Sequence, residues 1–236
     1  MSGFTHLDDS GAARMVDVGA KEVTARTATA TGRVDLSAEC VALLRGFEAG
    51  TGGVPKGDAL GVARVAGILG AKRTPDLVPL CHPLPLSGVT VDLVVDDAGV
   101  AVTATASGRV DLSAECVALL RAFDAGTGGV PKGDALGVAR VAGIMGAKRT
   151  PDLVPLCHPL PLSGVTVDLV VDDAGVAVTA TARTSGRTGV EMEALTAVAV
   201  ACLTVVDMTK AVDPRSVIRE VRVETKTGGK TGEWSR

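Results

Sequence analysis

Aromatic side chains are nearly missing from this chain: one Trp, three Phe and no Tyr among 236 residues. That scarcity excludes the stacking platforms on which single-strand nucleic-acid binders lay their bases. Positive charge is not in excess either. With a formal net charge of −3, the chain has no general attraction for a polyanion, and any anion must be held by a local cluster of Lys and Arg. No C-x-x-C pair occurs, and one Cys-His pair per stretch falls short of the three or four ligands a zinc site needs. The five Cys are an odd number, so a disulfide framework is not expected and a reducing cytoplasm is the expected compartment. No charge-free apolar run reaches transmembrane length, and the first residues lack the basic and apolar regions of a signal peptide. Neither nucleic acid nor a membrane is therefore an expected partner.

What is present is enough for a core. Apolar residues make up 46% and charged residues 22%, a composition that folds rather than stays disordered. Gly is abundant, at 29 residues, so the core is expected to pack through close backbone approach and Val, Leu and Ile side chains.

The dominant feature is a repeat. Thr27 to Val102 recurs as Thr103 to Val178 at a constant offset of 76, with differences only at Thr31/Ser107, Gly46/Ala122, Glu48/Asp124 and Leu69/Met145. A solenoid would show shorter units, more copies and more drift. This is one segment copied once in tandem. The Thr-Ala-Thr-Ala stretches at 27–30, 103–106 and 179–182 all end strand-like runs, so the middle one can serve either copy as a strand.

Periodicity predicts a helix over 36–45, capped by Asp35 or Ser37, and a second over 56–72 that carries Gly61, Gly67 and Gly70. Interior glycines cost a helix roughly 1 kcal/mol each, so three of them imply a neighbour approaching closely. Alternation predicts strands over 15–31 and a hairpin over 89–106, and the set recurs from 112 to 182. A stretch present once follows: a helix over 190–212, apolar nearly all round and so buried, then a strand over 217–225. Antiparallel hairpins with helices between them make an α+β fold. The expected division is 1–106, the N-terminal strands and first copy, and 107–236, the second copy with the C-terminal helix and strand.

Several groups could do chemistry. Cys81-His82-Pro83 and its twin Cys157-His158-Pro159 read either as a reactive pair or as a buried Cys beside a hydrogen-bonded His at a rigid turn. Lys56 and Lys132 each stand at a helix N-terminus, where an anion is favoured. Glu191 and Glu193 read as first-turn acids or as an acid–base pair. Asp207 and Lys210 share a face of a mostly apolar helix, where ionised groups are costly unless paired or functional. From Glu193 to Asp207 is about 21 Å along a helix at ~1.5 Å per residue. A small substrate cannot easily touch both in one chain, so either one site combines two chains or two sites each use one end.

Taken together, Met15-Val16-Asp17-Val18, Lys132-Gly133-Asp134, Ala147-Lys148-Arg149-Thr150, Leu156-Cys157-His158-Pro159-Leu160, the run Thr188 to Leu195, and Asp207-Met208-Thr209-Lys210-Ala211 resemble the MoaC family of molybdenum cofactor biosynthesis, the cyclic pyranopterin monophosphate synthases. The resemblance covers essentially the whole chain once one copy is removed. It implies a ferredoxin-like antiparallel sheet with helices on one face and a homo-oligomer, a hexamer built as a trimer of dimers. The implied activity is a lyase, converting 3′,8-cyclo-7,8-dihydro-GTP to cyclic pyranopterin monophosphate with loss of pyrophosphate, with no cofactor and no metal. It marks Asp207, Lys210 and Lys132 as catalytic, and Leu156, Cys157, His158, Glu191, Met192, Glu193 and Lys230 as substrate-binding. The duplication departs from the family pattern. The first copy, with Lys56, Cys81 and His82, is either a spare set or a segment docked where a second subunit would sit. The chain is then an active synthase or an inactive assembly protein.

Overall fold

A computed structural model of the chain describes residues 28, 30, 34–84, 86–93, 95, 105–184, 189–227 and 234–236. The strands expected over 15–31 and Lys230 lie outside the described residues.

The first copy folds locally as its sequence requires. Ser37, not Asp35, caps α1 (Ala38–Glu48), accepting from the Cys40 amide at 3.3 Å. Gly57 closes a turn by donating to Val54 O at 2.9 Å, at a φ of 81° that suits only glycine. Asp58 then caps α2 (Ala59–Lys72). Lys56 therefore sits in this turn, two residues before the cap, and not inside the helix predicted from 56. Arg73 ends α2, and Pro75 opens the short α3 (Thr74–Leu77).

Of the hairpin expected over 89–106, only part lies within the described residues. Residues 89–93 and 95 belong to no strand, and the turn 96–99 lies outside the described residues. A lone hairpin is marginal in water. No helix like that of 190–212 follows within this copy to cover its apolar face.

The second copy has that cover. β1 (Thr105–Asp111) lies at the start of the second copy, just past the junction. It is followed by α4 (Ala114–Asp124), α5 (Ala135–Lys148), α6 (Thr150–Leu153), and the hairpin β2 (Leu162–Asp172) and β3 (Gly175–Thr184). The unduplicated part adds α7 (Glu191–Thr209), β4 (Val217–Lys226) and a two-residue β5 (Trp234–Ser235). The sheet is antiparallel in the order β2-β3-β1-β4-β5. A bulge between β1 and β4 coincides with Glu220, at a φ of +54°. The fold is α+β, with the helices packed against the sheet and Val176, Val178, Ala180 and Ala182 of β3 pointing into the core.

α7 is the centre of that core. By length and composition it could cross a membrane, with mean hydropathy 1.6, but 67% of that window is buried inside the fold. The glycine prediction holds for α5. A Cβ on Gly143 would lie 2.8 Å from Ala197 O, and one on Gly146 would lie 2.9 Å from Val200 Cγ2, both on α7. Helix α2, with nearly the same sequence, buries no residue.

Candidate active site

The turn that precedes α5 positions the first functional group. Val130-Pro131-Lys132-Gly133 is a β-turn with Pro second and a left-handed Gly133, closed by the Gly133 amide on Val130 O at 2.9 Å. It aims Lys132 across the top of α5 to the far end of α7. There Lys132 Nζ donates to Asp207 Oδ2 at 2.7 Å. Lys210, just past the helix, donates to Oδ1 at 2.7 Å. The Asp207 side chain is 9% exposed and Lys132 11%, while Lys210 is 57% exposed.

Burial pushes the Asp207 carboxyl up, but the hydrogen bonds and charges of the two lysines outweigh it and hold the group below the ordinary aspartate value. A carboxylate fixed in this way stays ionised at neutral pH, with one of its two ammonium partners exposed to solvent.

A second cluster forms at the other end of α7. Glu193 is 2% exposed and accepts from the Cys157 thiol at 3.7 Å through Oε1, while Oε2 has no partner. Burial raises the Glu193 carboxyl, and the nearby Glu191 adds to this. Burial, then Glu193, raises the Cys157 thiol, against a lowering influence from Lys56 of the first copy. Glu191 itself pairs with Lys226 of β4. No sequence signal announces that pairing.

Of the ten predicted site residues, Lys132, Asp207 and Lys210 meet directly, and so do Cys157 and Glu193. Met192 is half-buried, and Leu156 and His158 are exposed beside Cys157. The two sets occupy opposite ends of one 19-residue helix, so no single cluster holds both. The group that sequence reasoning left aside is Cys81. Burial raises its thiol first, followed by Asp207, against lowering by Lys210 and Lys132. The first copy's turn therefore lies within electrostatic reach of the Asp207 cluster. Among the described residues no three His, Cys, Asp or Glu gather as a metal site.

The family model described as the MoaC family matches the chain twice, over residues 15–103 and 94–229. The chain belongs to the MoaC family. A Nocardioides protein named cyclic pyranopterin monophosphate synthase is 47% identical over 233 residues, covering 99% of this chain and 95% of the relative. The Streptomyces coelicolor protein of the same name is 46% identical over 99% of this chain and 89% of its own length. Cyclic pyranopterin monophosphate synthase 2 of Mycobacterium bovis is 58% identical over 134 residues, 57% of this chain and 77% of the relative. The two matches of the MoaC model fall one on each copy, with β1 inside the second.

Proposed function

We propose that this MoaC-family chain is a cyclic pyranopterin monophosphate synthase, a lyase acting on 3′,8-cyclo-7,8-dihydro-GTP in molybdenum cofactor biosynthesis. The observation that carries the reading is Asp207, a buried carboxylate held between two lysines at 2.7 Å, in a chain whose relatives carry that name.

The chemistry suits the groups. In the last stage a sugar-derived hydroxyl oxygen attacks the α-phosphorus. A new P–O bond forms, the bond to the bridging oxygen of the β-phosphate breaks, and pyrophosphate leaves. The hydroxyl needs a base, and the departing phosphates need cations. Asp207, kept ionised, serves as the base. Lys210, the more exposed ammonium, returns a proton or steadies phosphate. Lys132 neutralises charge from the opposite side. Leu156, Cys157, His158, Glu191, Met192 and Glu193, at the other end of α7, and Lys230 bind substrate.

The unit formed by 107–236 is the catalytic one, and 1–106 is incomplete because it has no helix with the Asp207 and Lys210 functions. The chain works in the cytoplasm as a homo-oligomer with the paired units of the hexamer that the resemblance implies. The test is direct. Purified protein given the cyclised GTP derivative releases pyrophosphate and a pterin product, and Asp207→Asn abolishes both. Absence of turnover in the wild-type chain, with substrate shown to be intact, overturns the reading.

A further inference from the structure

Two ion pairs join the copies. Arg73 Nη1 lies 3.6 Å from Asp152 Oδ2, and Arg149 Nη1 lies 3.9 Å from Asp76 Oδ2. Residues 73 and 149 are twins under the repeat offset, as are 76 and 152. Exchanging the copies therefore turns one pair into the other. That reciprocity is the signature of a two-fold contact between like surfaces, which ordinarily joins two subunits. Here both surfaces belong to one chain.

The segment after these residues is treated unequally. Val78 is 3% exposed, whereas its twin Val154 is only half-buried. Leu80 packs on the core around α7, whereas its twin Leu156 is 45% exposed. His82 is half-buried and His158 exposed. The first copy's turn packs Leu80 on the core and lies within electrostatic reach of Asp207, near the C-terminal end of α7. The second copy's turn faces a first copy that has no such helix.

We infer that the first copy takes the seat of a second subunit within its own chain, giving Cys81 and His82 to the Asp207–Lys132–Lys210 cluster and Lys56 to the Cys157–Glu193 cluster. The electrostatics are reciprocal in the same sense. Cys81 feels Lys132, and Cys157 feels Lys56, the twin of Lys132. Only one cluster can carry the aspartate, because only one copy is followed by α7. The inference deepens the synthase reading and rests on it solely for its catalytic consequence. For the Asp207 cluster, the Cys-His turn comes from residues 81 and 82 and not from 157 and 158.

Thiol labelling tests the seating without turnover. Trypsin releases Cys81 in the peptide from Thr74 to Arg109 and Cys157 in that from Thr150 to Arg183, which differ by the Ser107-Gly108 pair. Mass spectrometry can therefore follow alkylation of each in the full-length protein. The thiolate is the reactive form. Asp207→Asn removes a carboxylate that raises the Cys81 thiol and is expected to speed its labelling by about threefold or more. Lys210→Ala, at an exposed position that leaves the fold intact, is expected to slow it. Cys157 should respond to neither, and should slow in Lys56→Ala. A Cys81 rate unmoved by Asp207→Asn and Lys210→Ala overturns the inference, as does a response of Cys157 to either. On an active enzyme, His82→Ala should lower kcat/KM by about tenfold or more with the melting temperature unchanged, and unimpaired turnover overturns the catalytic consequence. A labelling result as expected in a protein without turnover leaves the seating standing and removes the synthase reading.

Discussion

Lys132 crosses 75 positions of sequence to hold the Asp207 carboxylate at 2.7 Å. The contact joins the repeated segment to the part of the chain that occurs once. It makes the second copy, and not the first, the owner of the Asp207 carboxylate's buried counter-ion.

Replacing Asp207 by Asn should cost stability as well as activity. It leaves Lys132 nearly buried without its charge partner, a loss of about 3 kcal/mol at neutral pH. The folded carboxyl titrates below its ordinary value, so its stabilising contribution is complete above the unfolded value of about 3.9 and is lost as pH falls through the lower folded value. Thermal unfolding of both proteins at several pH values checks this. The gap between wild type and variant should narrow only under strong acid.

Glu193 should behave in the opposite sense. Burial raises its folded carboxyl, so the folded state disfavours ionisation. The neutral group is tolerated below the unfolded value of about 4.3, and a penalty grows as pH rises from there through the raised folded value. The melting temperature of Glu193→Gln relative to wild type should therefore climb between pH 4 and pH 8. A difference independent of pH counts against the buried, half-unpartnered carboxyl.

Twin glycines should give opposite results. Gly146→Ala puts a methyl 2.9 Å from Val200 Cγ2, a clash costing about 1–3 kcal/mol. Gly70→Ala, the same change in the other copy, meets nothing within 4 Å and should stabilise by up to about 1 kcal/mol through helix propensity. Chemical denaturation of the two single variants reads the contrast.

The native mass should correspond to three chains. The resemblance implies six subunits paired two by two. If each pair is formed inside one chain, half as many chains complete the assembly. Native mass spectrometry decides, and a six-chain mass would mean that the two-fold contact is left to a second chain.

Much of this was legible beforehand. Ser37 was one of two expected caps of α1, and the helices lie near their expected ranges; the Asp58 cap and the Pro-Lys-Gly turn, which move the start of α2 from 56 to 59, also act within a few residues and recur in both copies. The glycines of α5 announced a close neighbour, and α7 is that neighbour. Asp207 and Lys210 stood out because ionised groups on an apolar helix need a reason. What could not be read was which copy each cluster would draw on. The stretches around Cys81 and Cys157 are letter-for-letter identical, and no local rule separates them. Residues 89–93, whose letters recur within β2, belong to no strand for the same reason: the helix that covers β2 follows only the second copy.

The sequence by itself determined the local pieces, the caps, turns and helices that recur in both copies, because those depend on hydrogen bonds and torsions between near neighbours. Only the tertiary structure decided which pieces became a sheet and which cysteine came near Asp207. A strand or an apolar helix face is stable only when another element removes it from water, and the chain contains a single α7 for two copies to share.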